Sequence, residues 1–128
     1  GMAEGDLFND GKLDVVIKVL DGHPALLRNV SPAHPHWIEF KLIGGPKSPR
    51  DAIGAKVFVT ANGMRQRDDI FSGGSFASTS DPRPHFGLGD ATRIDAVEVH
   101  WPDGAKEKFD VAKVDQIVTL TEGKGKKM

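Results

Sequence analysis

The stretch from Pro84 to Gly104, PHFGLGDATRIDAVEVHWPDG, constrains the fold more than any other part of the chain. Ile94, Val97, Val99 and Trp101 fall near alternate positions, while Glu98 and His100 point the other way. A period of two with one apolar side is the pattern of a strand with one buried face. Pro102-Asp103-Gly104 reads as a turn, because Pro pre-sets φ and Gly is free to take φ > 0. The run Lys106 to Val111 then returns as a second strand. A hairpin centred on Trp101 is therefore expected, with the indole in the core. Just before it, Phe86-Gly87-Leu88-Gly89-Asp90 places small residues where a backbone turns tightly.

The same vocabulary of short strands and turns extends from Trp37 onward. Ile38, Phe40 and Leu42 alternate with Trp37, Glu39 and Lys41, giving a strand with an apolar face and Trp37 at its entrance. Gly44 to Asp51 is an irregular loop. Ala55 to Ala61 and Met64 to Phe71 flank Asn62-Gly63, a strong hairpin signal. Ser72 to Asp81 is a polar loop of small residues, and Ile117 to Thr121 reads as a last strand. Only Val111 to Asp115 suggests a helical turn. With 15 Gly and 8 Pro among 128 residues, turns and short strands are favoured over helices. The expected fold is all-β, an antiparallel sandwich or partly closed barrel.

Charge and composition remove several function classes. A formal net charge of −1 argues against a nucleic-acid binder that relies on phosphate contacts. With no Cys, disulfides, thiolate zinc sites and a cysteine nucleophile are excluded. No apolar run approaches a membrane span, so membrane insertion is not expected. Gly1-Met2 reads as a cloning remnant, and the natural chain is expected to begin upstream.

Residues 5–29 form a unit of their own. Asp6, Asp10, Gly11 and Asp14 stand before the apolar run Val15-Val16-Ile17, and Ala25 to Arg28 suggests a second strand. Acidic side chains around a Gly turn can converge on Ca²⁺, which takes about six to eight oxygens. Phe8 occupies a position between Asp6 and Asp10 where a further ligand would be expected, so any Ca²⁺ site at Asp6, Asp10 and Asp14 should be weak. A solvated turn before a strand is the plainer alternative. Residues 30–36 are a Pro-containing linker, and His34 and His36 within it lack a third ligand nearby. Residues 123–128, GKGKKM with Glu122 before them, are expected to be a disordered tail.

The N-terminal segment resembles a terminal FG-GAP/VCBS repeat, the blade unit of integrin-like β-propellers. The resemblance rests on its Asp-rich loop and on the strand pattern at Leu13 to Ile17. Residues 37–122 resemble an ASPIC/UnbV domain, the module that follows propeller repeats in cartilage acidic protein and many bacterial secreted proteins. HWIEFKLIG at 36–44, RDAIGAKV at 50–57, Gly63 with Gln66, HFGLGDA at 85–91 and VEVHWPDG at 97–104 carry it. The chain departs at Pro35 and Pro49, where Asn is usual, and at Phe76 and Thr79, where Tyr and Gln are common. The resemblance implies a non-enzymatic C-terminal accessory module of a secreted β-propeller protein, extracellular or periplasmic, serving adhesion or protein-partner binding. The upstream β-propeller of the same polypeptide, and an extracellular protein or glycan, are its implied partners.

The residues allow two other readings. A carbohydrate-binding module needs exposed aromatic platforms, and with no Tyr only Trp37 is free to serve. A hydrolase would draw on Ser75, Ser78, Ser80, Asp81 and His85 in the loop at 72–85, yet G-x-S-x-G is absent. No enzyme activity is expected. Arg50, Asp51, Arg83 and His85 form a candidate ligand patch if their loops meet at one end of the sheet; otherwise Arg50 and Asp51 pin a long loop locally.

Overall fold

A computed structural model describes residues 1–128 and contains eleven strands and no helix. The chain divides into two compact units. One comprises Gly1–His34 with Ser72–Asp81, the other Pro35–Phe71 with Pro82–Met128. The chain therefore passes between them three times.

The first unit is a three-stranded antiparallel sheet of β1 (Met2–Gly5), β2 (Asp14–Ile17) and β3 (Ala25–Leu27), in that order. Strand β1 includes Met2 of the Gly1-Met2 pair read as a cloning remnant. The polar loop at 72–81 belongs here too. Asp81 donates its N–H to the Glu4 carbonyl at 2.9 Å, Glu4 donates to Ser80 Oγ, and Ser78 donates its hydroxyl to the Met2 carbonyl. The loop thereby satisfies the open edge of β1.

The second unit holds two sheets. In the smaller, β4 (His36–Ile43) lies between β7 (His85–Gly89) and β10 (Gln116–Thr121). In the larger, β11 (Lys126–Lys127), β9 (Lys106–Phe109), β8 (Ala96–His100), β5 (Lys56–Ala61) and β6 (Met64–Asp69) follow one another. The two sheets share a single core. Ile38 and Phe40 come from β4, Phe86 and Leu88 from β7, and Val57, Val59, Val97 and Val99 from the larger sheet. Each fully buried aliphatic or Phe side chain contributes about 1.5–3 kcal/mol, so the core accounts for most of the favourable free energy of folding. Gln66 Nε2 donates to the Gly87 carbonyl at 2.8 Å and ties β6 to β7. The fold is all-β, a sandwich without barrel closure.

The anchor hairpin forms between β8 and β9, with Val97, Val99 and Trp101 buried and Trp101 N–H donating to the Ala105 carbonyl. The β5–β6 turn also follows its sequence, since Asn62 and Gly63 both take positive φ.

Four expectations are corrected. Phe86 to Gly89 is strand rather than turn; Phe86 and Leu88 alternate inward, and the glycines face the other way. Residues 111–115 form no helical turn, because Val111 and Val114 pack against the core from an irregular segment. The 123–128 tail is not disordered, since Lys126 and Lys127 pair with Lys108 and Glu107. Finally, β10 runs parallel to β4, whereas every other pairing is antiparallel. The parallel pair closes late in the chain and brings Leu120 into the core.

Candidate functional site

Two of the four candidate ligand residues meet around Glu39. Strand β4 pairs with β7 so that Glu39 lies opposite His85. Phe40 N–H donates to the Pro84 carbonyl, which brings Arg83 alongside. Arg83 Nη1 then reaches Glu39 Oε2 at 3.2 Å, and the glutamate has no exposed surface. One position earlier in β4, the Trp37 indole stacks on the His85 ring, with centroids 5.8 Å apart and planes 7° from parallel. The result is a buried carboxylate, a guanidinium over it and a paired aromatic surface beside it. Glu39 was missed because its alternation with Ile38 and Phe40 reads as solvent-facing.

Arg50 and Asp51 do not join this cluster. They lie in the exposed loop beyond β4, where the Arg50 carbonyl accepts the N–H of Gly44. Gly44 is five residues past Glu39, about 16 Å along a strand. The loop is pinned by backbone rather than by the Arg50 or Asp51 side chains. Gly44 N–H to Arg50, Ala52 N–H to Pro49 and Ala55 N–H to Ala52 hold it.

In the first unit, Asp6 and Asp14 are buried and act as acceptors for their own loop. Asp6 takes the N–H groups of Asp10 and Gly11 at 3.0 and 2.7 Å, and Asp14 takes those of Leu7 and Asn29 at 3.2 and 2.8 Å. Asp10 lies 3.8 Å from Arg28, whose guanidinium sits 4.0 Å above the Phe8 ring. No three His, Asp or Glu side chains form a group that could hold a metal ion. Arg28 instead places a fixed positive charge beside the acidic loop.

Of the remaining residues singled out, Ser78 and Ser80 bond to β1, as described above. His36 Nδ1 lies 2.7 Å from Asp115, which also accepts the Trp37 N–H. Asp115 takes φ of 59°, and its carboxylate clamps the start of β4. Trp101 is 3% exposed and donates through Nε1 to buried Glu107 at 2.9 Å.

Comparison with known protein families matches residues 45–127 to the family described as ASPIC and UnbV. The chain belongs to this family. Four of the five blocks that carried the resemblance lie inside the matched range, and HWIEFKLIG at 36–44 precedes it. Domains of the ASPIC and UnbV family are C-terminal modules associated with propeller proteins. No curated protein matches the chain.

Proposed function

We propose that this protein is a non-enzymatic C-terminal accessory module of a secreted β-propeller protein, extracellular or periplasmic, which serves adhesion or protein-partner binding. One observation carries the reading: the small sheet of the first unit carries apolar side chains on both faces, interrupted by exposed Glu4 on one and buried Asp14 on the other. The pairings put Ala3, Val16 and Leu26 on one side, and Met2, Ile17 and Ala25 with Val15 and Leu27 on the other. Yet Met2, Leu26 and Leu27 are about half exposed, at 48%, 53% and 55%. A sheet with apolar side chains on both faces is ordinarily covered on both, as a blade is by its neighbours. Residues 5–29 are thus read as an FG-GAP/VCBS-like terminal repeat whose adjoining blades belong to the same polypeptide.

The serines favour a non-enzymatic role, since Ser78 and Ser80 serve as edge-strand partners. Reading the gene upstream of Gly1 tests the proposal directly. Further Asp-rich repeats behind an export signal are expected. A reading frame that starts at Met2 would overturn it.

A further inference from the structure

We propose that the outer face of the five-stranded sheet binds an anionic polysaccharide, carboxylated or sulfated, laid across the strands. The proposal rests on reading the domain as a binding module and names the chemistry of one partner. Register fixes which side chains share this face, because Val57, Val59, Val97 and Val99 all point into the core. One row across the sheet reads Lys106, His100, Lys56 and Asp69. The next reads Lys126, Lys108, Glu98, Phe58 and Arg67. Arg65, opposite Thr60, completes it.

Six exposed lysines and arginines thus stand against Asp69, Glu98 and the neighbouring Asp110, in a chain whose net charge is −1. The acids neutralise only part of the face. Arg65 pairs with Glu98, Arg67 with Asp69 and Lys126 with Asp110. Lys56, Lys106 and Lys108 make no salt bridge, although Asp69 stands opposite Lys56 and Glu98 opposite Lys108. Lys106 and Lys56 flank His100 on the two neighbouring strands. Burial first, then Lys106, with Arg65 and Lys56, push His100 below its ordinary value against the opposing pull of Glu98. The face keeps an excess of positive charge, which an anion laid over it would meet.

The geometry favours a polysaccharide over other polyanions. The cations spread over an open sheet surface with strands about 4.8 Å apart, which suits a ribbon-like chain with one charge per sugar. Duplex DNA is convex and is usually read by an element that enters a groove, which an open sheet face does not offer. A membrane surface would call for apolar side chains to insert, and Phe58 is capped by Arg65, 4.1 Å from its ring centre.

Calorimetric titration with polygalacturonate and with dextran sulfate, at low and at physiological salt, tests the proposal. Neutral dextran, polyglutamate and duplex DNA serve as comparison probes. The wild-type protein should bind at least one of the two acidic polysaccharides, more weakly at high salt. The variant Lys56→Gln/Lys106→Gln/Lys108→Gln should lose at least tenfold in affinity with its circular dichroism unchanged. Lys41→Gln/Lys47→Gln/Lys113→Gln changes net charge equally on exposed lysines outside this sheet and should bind like wild type. Equal losses in both variants would mean mere ion exchange and overturn the proposal. So would binding of neither polysaccharide, or tighter face-dependent binding of polyglutamate or DNA. None of these outcomes touches the upstream gene sequence, so the accessory-module reading stands or falls separately.

Discussion

Removing the Trp101 indole should show how far the anchor hairpin holds the domain together. The ring sits at the end of β8, 3% exposed, edge-on to Phe109 with centroids 6.4 Å apart. Emptying such a site costs about 3–5 kcal/mol through lost burial and the cavity left behind. A second loss is specific to this structure. Trp101 Nε1–H donates to Glu107, which is itself 3% exposed and otherwise accepts the Gly123 N–H at 3.0 Å. Deleting a donor from a buried carboxylate costs about 1–3 kcal/mol more. Total stability in a domain of this kind is about 5–15 kcal/mol, so Trp101→Ala should be barely folded or unfolded.

Trp101→Phe separates the two effects, because it keeps most of the ring volume and loses the hydrogen bond. It should cost about 1–3 kcal/mol, near 4–12 °C at about 4 °C per kcal/mol. Thermal melts followed by circular dichroism, with Glu98→Ala as the surface control, measure all three. Glu98 meets Arg65 at 2.8 Å in a partly exposed pair, worth about 0–1 kcal/mol. In a double-mutant cycle, Trp101→Phe and Glu107→Gln should couple. A Trp101→Ala protein melting within a few degrees of wild type would refute the reasoning and make the ring a surface platform.

Deleting residues 1–34 should leave a cooperative thermal transition, because every buried hydrophobic core residue lies in the second unit; a chain that no longer folds would show otherwise. Arg83→Ala should cost about 3–5 kcal/mol by removing the guanidinium beside the buried Glu39 carboxylate. Adding Glu39→Leu should restore much of that, and chemical denaturation that shows no recovery would count against a buried pair. Ca²⁺ titration should show weak binding at most, since the Asp6 and Asp14 oxygens already accept backbone N–H groups and Arg28 stands beside Asp10. Submicromolar affinity would contradict this, and Phe8→Asp with Arg28→Ala should strengthen binding. His100 is held below its ordinary 6.5, so the unfolded chain takes up its proton first as pH falls. Stability should therefore decline as pH drops below about 6.5, levelling off once the folded ring also protonates. His100→Gln should flatten that part of the profile, and an unchanged slope would remove the assignment.

What the sequence disclosed depended on whether a residue's role is local. The β8–β9 hairpin and the Asn62-Gly63 turn were legible because alternation and turn chemistry act over a few residues. Trp101 was legible as core for the same reason, but its bond to Glu107 was not, since nothing in KEKF marks which glutamate turns inward. The β4–β10 pairing joins segments more than seventy residues apart, and no local pattern announces a parallel partner. Strand β11 was hidden for another reason: its lysines look like a solvated tail until β9 presents an open edge.

Charge was the least legible property of all. A net charge of −1 describes the chain as a whole, and it conceals a sheet face on which six cations outnumber three carboxylates. The segregation arises because strands distant in sequence expose their outward residues side by side. Lys56, His100 and Lys106 are separated by up to fifty positions, yet they become neighbours one strand apart. The inference against nucleic acid drawn from total charge therefore concerns long-range attraction only. At the range of a contact, the sign a partner meets is set by the register of β8 against β5 and β9. A one-residue slip in either pairing would turn those side chains toward the core and the valines outward. The hydrophobic core that fixes the register thus also fixes the positive face, and a substitution that loosens Val97 or Val99 should weaken anion binding without touching a single cation.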